Sequence, residues 1–373
     1  MGAMTNELLT PDLAAASAAR RADADAPYLA AVRGDKPSRR PVWMMRQAGR
    51  SLPEYRKVRE GIPMLDSCFM PDLLAEITMQ PVIRHDADAA ILFSDIVVPL
   101  KAAGMDVEIV AGRGPVMGEA VRTSEQIANI PDLEPDQLGP IVEGIEQILE
   151  RLRTDQVLIG FAGAPFTVAS YLIEGGPSKN HEVTKAMMYA EPQLWHALME
   201  KLSPMIAHFL QAQIEAGVDA IQLFDSWAGF LTARDYREYV APYSQKILDA
   251  VRPYGIPMTH FGVGTGELLV DLAKVGPDVV GVDWRVPMNV AAKRVQQALP
   301  DQTPKAYQGN LDPAVLFAGR DVIREHVKRI AAEAYEAIEL GYSRGHIFNL
   351  GHGVMPHTDA DAITAAFEEV HNS

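Results

Sequence analysis

Positive charge in this chain is concentrated in one short stretch. Between Lys36 and Arg59 stand eight cations, Lys36, Arg39, Arg40, Arg46, Arg50, Arg56, Lys57 and Arg59, against one acid, Glu54, although the whole protein has a formal net charge of −15. Guanidinium groups stay charged and meet carboxylates or phosphates through a planar fork of donors. Such a cluster in an acidic protein therefore predicts a grip on a ligand with several negative charges. A solvated basic loop is the competing reading, because charge runs usually face water. Gly49 and Pro53, which shape the backbone, and arginines placed at separate positions instead of in one tract favour the grip.

A grip needs a rigid element behind it, and the run Val42-Trp-Met-Met directly precedes Arg46. It is the first of eight short apolar runs; the others are Ala89-Ala-Ile-Leu-Phe, Val157-Leu-Ile-Gly-Phe, Ala220-Ile-Gln-Leu-Phe, Pro257-Met-Thr-His-Phe, Val279-Val-Gly-Val, Lys305-Ala-Tyr-Gln and His346-Ile-Phe-Asn-Leu. Each is followed by a turn-rich segment and then an amphipathic stretch. In the stretch from Pro192 to Ala216, Leu194, Leu198, Leu202, Met205, Ile206 and Phe209 fall at helical spacing, and Asp321 to Leu340 and Thr358 to His371 read the same way. Strands alternating with helices predict an α/β protein with one catalytic domain over residues 26–373, a (β/α)8 TIM barrel. A doubly wound open sheet is the alternative. The Pro257 and Lys305 runs are weak strands by themselves and count because helices flank them. Val107-Glu-Ile-Val and Gly112-Arg-Gly-Pro suggest a small hairpin inserted after the second strand. Residues 1–25, rich in alanine and short polar residues, read as a flexible N-terminal arm.

In a barrel of this kind the residues after each strand converge on one mouth. They are Arg46-Gln-Ala-Gly-Arg50, Ser94-Asp95, Ala162 to Tyr171, Asp225-Ser226-Trp227, Gly262-Val-Gly-Thr-Gly, Asp283-Trp-Arg285, Gly309-Asn-Leu-Asp312 and Gly351-His352-Gly. His260 and His352 end strands, but no His-x-His follows the first strand and no His-Glu-x-x-His occurs, so no metal site is expected. No P-loop lysine follows the glycines at 262–266, and no Gly-x-Ser-x-Gly elbow supports a serine hydrolase. Each remaining mouth residue also has an ordinary structural reading. Asp95 and Ser226 could be helix caps, Tyr171 a half-buried aromatic, His352 a satisfied core histidine, and Phe224 core. The single cysteine, Cys68, excludes a disulfide framework and any multi-thiolate metal site. No apolar run approaches the ~20 residues of a membrane span, and no signal-peptide pattern is present, so the expected compartment is the cytoplasm. The acidic balance argues against a nucleic-acid partner.

Five stretches carry a resemblance. Met44-Met-Arg-Gln-Ala-Gly-Arg-Ser-Leu-Pro-Glu-Tyr-Arg, Ile91-Leu-Phe-Ser-Asp-Ile, Gly160-Phe-Ala-Gly-Ala-Pro-Phe-Thr, Gln222-Leu-Phe-Asp-Ser and Asn349-Leu-Gly-His-Gly are similar to stretches of the uroporphyrinogen decarboxylase family. They follow the family's order from about residue 30 to the C-terminus. The resemblance implies a (β/α)8 barrel that works as a homodimer without metal or organic cofactor and converts uroporphyrinogen III to coproporphyrinogen III. It places Arg46, Arg50 and Arg59 against substrate carboxylates and Asp95 at the pyrrole nitrogens. Tyr171, Ser226 and His352 become neighbours and further substrate contacts, and Phe224 packs on the macrocycle. The chain departs from the family pattern at Ser51, where many relatives have tyrosine, and at Trp227, where others vary.

The implied chemistry needs such residues. Losing CO2 from an acetate arm requires an electron sink, which protonation of an electron-rich pyrrole carbon supplies. A carboxylate beneath the ring nitrogens stabilises the resulting cation. Asp95 is expected there, with Tyr171 orienting it by a hydrogen bond and Arg46, or a water it positions, delivering the proton. Two other readings remain at this point: a corrinoid-linked methyltransferase, whose usual zinc thiolates one cysteine cannot supply, and a porphyrinogen carrier without catalysis.

Overall fold

The computed structural model describes residues 26–49 and 51–373; the expected arm at 1–25 and Arg50 lie outside the described residues. In chain order the strands are β1 (Ala89–Ile91), β2 (Val107–Val110), β3 (Gly114–Met117), β4 (Val157–Gly163), β5 (Ala220–Asp225), β6 (Met258–Gly262), β7 (Val279–Gly281), β8 (Ala306–Leu311) and β9 (Gly345–Leu350). All except β2 and β3 join one curled parallel sheet in the order β1, β4, β5, β6, β7, β8, β9. A doubly wound sheet reverses its strand order at a switch point, and this one never does. The helices that matter most for the site are α1 (Pro27–Arg33), α2 (Pro71–His85), α3 (Pro165–Glu174), α4 (Pro192–Glu215), α5 (Arg320–Glu339) and α6 (Ala360–His371).

The two runs that are weak strands in isolation, at 257–261 and 305–308, form β6 and β8, and every residue of both is buried. A parallel strand covered on both faces needs no alternation of its own, which is why the local pattern understates them. Inside the curl, Ala89, Ile91, Val157, Ile159, Phe161, Ala220, Phe261, Val279, Ala306 and Ile347 pack with Trp43 and Met45. The period of two along β1 and β4 is the pleat directing alternate side chains inward. Helix α1 adds Tyr28, Leu29 and Val32 to the same cluster, at the end of the sheet where the strands begin. A Cβ on Gly345 would sit 1.9 Å from the carbonyl oxygen of Ala31, so β9 can lie against α1 only because that position has no side chain.

The run Val42-Trp-Met-Met does not become a regular strand. It makes one parallel bridge, Val42 to Phe348, with Phe348 N donating to Pro41 O at 2.8 Å and Trp43 N to Phe348 O at 3.3 Å. On the other side Asp88 N donates to Val42 O at 3.0 Å. The cause is competition from side chains for the donors a ladder would use. Val42 N donates to Asp88 Oδ2 at 2.8 Å, Met44 N to Gln47 Oε1 at 2.9 Å and Met45 N to Asn349 Oδ1 at 3.0 Å. The observed sheet is thus a seven-stranded half-barrel with this segment lying between its two edges. Asp88, fully buried, also accepts from Arg39 Nε at 2.7 Å and contacts His371 Nε2 at 2.9 Å, fastening the end of α6 beneath β1. Within the curl, Trp43 Nε1 donates to Gln308 Oε1 at 3.1 Å and Gln308 Nε2 to Gln222 Oε1 at 2.9 Å. Loss of either glutamine would strand a buried partner, at about 1–3 kcal/mol.

The antiparallel ribbon β2/β3 pairs Val107 with Met117 and Val110 with Gly114. It leans on the helix that carries Tyr171: Met117 N donates to Gly175 O, Val121 N to Leu172 O and Arg122 Nε to Ile173 O. No helix among the described residues is long and apolar enough to cross a membrane.

His346 supplies a pH test of the sheet. Its Nε2–H donates to Gly309 O at 2.8 Å, while Nδ1 accepts from Arg40 Nη1 at 3.1 Å, so both contacts require the neutral ring. Burial first, and Arg40 second, lower its pKa from 6.5 to about 3. The unfolded chain therefore takes up this proton at a pH where the folded chain refuses it. The stability from neutral His346 is complete above pH 6.5 and is lost as the pH falls toward 3. Urea unfolding from pH 7 downward is expected to show stability falling below 6.5, with a shallower slope in His346→Gln.

Candidate active site

Arg46 stands where the bridging segment turns away from the sheet. Its φ is 62°, a left-handed conformation costing a non-glycine residue roughly 1–2 kcal/mol. The neighbouring Gln47 compensates: its buried amide accepts from Met44 N and donates to Ala89 O, both at 2.9 Å, fixing the turn to β1. Val354 N donates to Met45 O at 2.8 Å from the other side. The Arg46 side chain lies across Gly353, where a Cβ would come within 2.5 Å of Arg46 Cδ. The glycine after His352 is what lets the guanidinium pass.

Asp95 follows β1. Its Oδ1 accepts from Val97 N at 3.1 Å, and the short helix Val98–Ala102 has no side-chain cap, so Asp95 is not spent on capping it. Burial raises the Asp95 pKa above the ordinary carboxylate range, against the opposing pull of the Val97 N–H, Arg46 and the Ile96 N–H. Tyr171, on α3, shares this environment. Burial raises its phenol pKa, the Asp95 charge adds to that, and Arg46 opposes it. These three groups therefore act on one another electrostatically. No hydrogen bond joins the Tyr171 hydroxyl to Asp95 among the described residues, so the expected orienting bond is not made; instead the Tyr171 ring stacks on Trp227 at 4.1 Å between centroids.

His352 follows β9. Its Nδ1 accepts from Gly353 N at 2.7 Å. Burial lowers its pKa first and Arg46 lowers it further, which keeps the ring neutral at physiological pH. Phe224, near the end of β5, is half-buried and meets Phe161 and Phe261 edge-on at 5.3 and 6.1 Å, forming an apolar floor inside the curl. Ser226 follows β5 and does not cap the turn after it, whose cap position is Trp227. Asp225, just before it, is fully buried and accepts from Thr167 Oγ1 at 3.1 Å.

Arg59 ends the helix Pro53–Val58, with its guanidinium 5.2 Å from the centre of the Tyr55 ring. Its Nε and Nη1 are buried without a hydrogen-bond partner among the described residues. Both Arg59 and Asp95 act on the buried Cys68 thiol, whose pKa burial drives far up, so the two charges are neighbours across that cysteine. Burial of this kind makes Cys68 inert as a nucleophile. Of the expected site residues, Arg46 acts electrostatically on Asp95, Tyr171 and His352, and Arg59 and Asp95 both act on Cys68. Phe224 and Ser226 belong to the same end of the sheet, and Arg50 lies outside the described residues. Sequence reasoning assigned no role to Trp227 or to Arg285, which stacks 3.9 Å over Trp284 and pairs with Asp283 at 2.7 Å beside His352. The aromatic-rich strand ends were the available signal. No group of three or more His, Cys, Asp or Glu side chains is placed to hold a metal among the described residues.

The arrangement presents arginines and one half-buried carboxylate at the end of a sheet that also carries the Phe161, Phe224 and Phe261 rings. It can hold an anionic ring compound and stabilise positive charge that develops within it. Comparison with known proteins agrees in kind. A family model described as uroporphyrinogen decarboxylase (URO-D) matches residues 23–373. The chain is 62% identical over 355 residues to the uroporphyrinogen decarboxylase of Corynebacterium glutamicum (strain R), covering 95% of this chain and 98% of that one. It is 63% identical to the enzyme of that name from Corynebacterium diphtheriae over 92% and 98% of the two chains, and 60% identical to that of Rhodococcus erythropolis over 95% and 98%. A solved methyltransferase from Methanosarcina mazei shares the fold, with a TM-score of 0.75 at 18% identity over 93% of this chain and 98% of that one.

The orphaned donors of Arg59 make a prediction. Two buried N–H donors without a hydrogen-bond partner among the described residues cost the free protein stability, and an anion that accepts from them repays it. Arg59→Met is expected to leave the thermal midpoint unchanged or raise it by a few degrees, while weakening a polycarboxylate ligand about tenfold or more, as read by calorimetry and thermal shift. A lower midpoint with unchanged binding would give Arg59 a purely structural role.

Proposed function

The chain belongs to the uroporphyrinogen decarboxylase family, and from that premise we propose that it removes the four acetate carboxyls of uroporphyrinogen III as CO2, leaving methyl groups and giving coproporphyrinogen III in porphyrin and heme biosynthesis. The observation that carries the reading is the half-buried Asp95 carboxylate just after β1, its Oδ1 held by Val97 N at 3.1 Å and its pKa raised by desolvation against the pull of Arg46. Eight carboxylates on the substrate account for the arginines, with Arg46, Arg50 and Arg59 as their contacts. Phe224 lies against the macrocycle, and Tyr171, Ser226 and His352 lie around it.

A proton reaches the electron-rich pyrrole carbon from Arg46 or a water it positions, and the ring becomes a cation. The C–C bond to the carboxylate breaks, its electron pair neutralises the ring, and CO2 leaves an exocyclic methylene; a second proton converts that methylene to methyl, and loss of the first proton from the ring carbon restores the neutral pyrrole, so each turn takes up one proton net. Asp95 faces the ring nitrogens throughout. In a site shielded from water its charge acts with little screening, and it needs no reorganisation as the cation forms. No metal or organic cofactor is called for, since the substrate supplies its own electron sink. The same reading has the Pro41–Met45 segment serve as an eighth stave closing a barrel, supported by its contacts to both Phe348 and Asp88. It also has residues 26–373 act as one catalytic domain that pairs as a homodimer in the cytoplasm, the last two points resting on the family.

Anaerobic, metal-free incubation with uroporphyrinogen tests the reading: stepwise loss of four CO2 is expected, and binding without product would leave a carrier. Asp95→Asn is expected to lower kcat by about 10³ with KM changed only a few-fold, because it removes a charge used in the transition state. Equal losses in both would reduce Asp95 to a binding residue. The acid limb of kcat/KM should lie above the ordinary aspartate value of 3.8, since activity needs Asp95 ionised and burial raises its pKa. Arg46→Lys should slow single-turnover decarboxylation itself; weakened binding with an unchanged chemical step would remove Arg46 from proton delivery.

A further inference from the structure

Tyr171 is a site residue held by contacts that the family resemblance does not assign. Its ring lies 4.1 Å from that of Trp227, centroid to centroid, with 34° between the planes. Trp227 lies 4.5 Å from His181, and His181 meets Phe230 edge-on at 4.6 Å. Four aromatic rings thus form a continuous column, with Tyr171 at its inner end and the half-exposed Phe230 at its outer end.

Both ends of Trp227 are anchored to the helix that bears Tyr171. Its backbone N donates to Thr167 Oγ1 at 3.3 Å, and Thr167 Oγ1 donates in turn to the buried Asp225 at 3.1 Å. On the far side of the indole, His181 is fully buried. Its Nδ1 lies 2.7 Å from the hydroxyl of Ser170, the residue preceding Tyr171, and its backbone N–H donates to Ser178 Oγ at 2.9 Å. Thr184 Oγ1 donates to Glu174 Oε1 at 2.9 Å, returning the chain beyond His181 to the end of α3. The indole is therefore clamped between two rings whose backbones are cross-linked.

Tyr171 needs such a clamp. No hydrogen bond from its hydroxyl to any described residue fixes its direction, and a tyrosine on a helix has more than one open rotamer. A stacked indole selects one of them at little entropic cost. We infer that Trp227 is a positioning residue, which through its ring contact holds the Tyr171 hydroxyl toward Asp95 and the reacting pyrrole. The inference rests on the decarboxylase reading.

A positioning role predicts a particular dependence on Tyr171. Trp227→Leu removes the ring, and Trp227→Phe keeps one. The leucine variant is expected to lose about 30-fold in kcat with KM within about two-fold, the scale of a reacting group displaced by a fraction of an ångström. The phenylalanine variant should recover most of that loss. In a Tyr171→Phe background, where no hydroxyl remains to be aimed, Trp227→Leu should cost less than about two-fold further. An equal loss in both backgrounds would overturn the inference, because a residue acting through Tyr171 has nothing to act on in its absence. A raised KM with unchanged kcat would also overturn it and make Trp227 a substrate contact. Should Trp227→Leu fail to fold, Trp227→Met, closer in volume but without a ring, takes its place in the same cycle. A wild type that binds uroporphyrinogen without releasing CO2 would remove the decarboxylase reading and this role with it. An active wild type with additive losses would remove only the role.

Discussion

A parallel sheet that curls but does not pair its first strand with its last leaves two rows of backbone donors and acceptors to be satisfied, and the segment from Pro41 to Met45 meets both. It bridges Phe348 of β9 on one side and reaches Asp88, just before β1, on the other. Side chains carry most of this joint: Asp88, Gln47 and Asn349 each accept from one of its N–H groups. Because buried amides are costly to leave unpaired, the position of the segment is tightly determined even though it lacks a regular ladder. The placing of Arg46 beside two of the residues its charge acts on, Asp95 and His352, follows from this. Asp95 leaves the end of β1, His352 leaves the end of β9, and the joint between those strands releases Arg46 between them.

One cation then acts on two titratable neighbours. Burial is the larger influence on both neighbours, raising the pKa of Asp95 and lowering that of His352. Arg46 opposes the first effect and reinforces the second. A positive charge at this point therefore favours an ionised carboxylate beside a neutral imidazole. The arginine-rich stretch serves less as a uniform basic surface than as a set of separately held charges. Arg39 and Arg40 are committed to Asp88, Asp86 and His346 at the opposite end of the strands, whereas two donors of Arg59 have no hydrogen-bond partner among the described residues.

The aromatic residues divide into two groups with different work. Phe161, Phe224 and Phe261 meet edge-on across adjacent strands and form a floor rigid by virtue of the sheet beneath it. Tyr171, Trp227, His181 and Phe230 come from a helix and two loops, and their geometry depends on cross-links through Ser170, Thr167 and Glu174. The floor can accept a flat ring without adjustment. The column fixes the direction of the Tyr171 ring, and it is the more elaborately tied.

Much of this was legible in the sequence because it depends on local period and residue type. Seven of eight apolar runs became strands, and the helix expected from Pro192 to Ala216 runs from Pro192 to Glu215. The signature around Arg46 and the turns after the strands identified which residues could meet. The eighth run reads as a strand by composition and is reduced to one bridge by Asp88, 46 residues from Val42, and Asn349, 304 residues from Met45. Tyr171 lacks its expected bond to Asp95 and gains Trp227 instead, a contact no local pattern contains. By itself the sequence determined which chemical groups exist and which strand or helix carries each. Only the tertiary structure decided which of them share one desolvated space, because burial and the proximity of charges, the two quantities that make Asp95 and Arg46 more than an ordinary acid and base, arise only when distant segments close on one another.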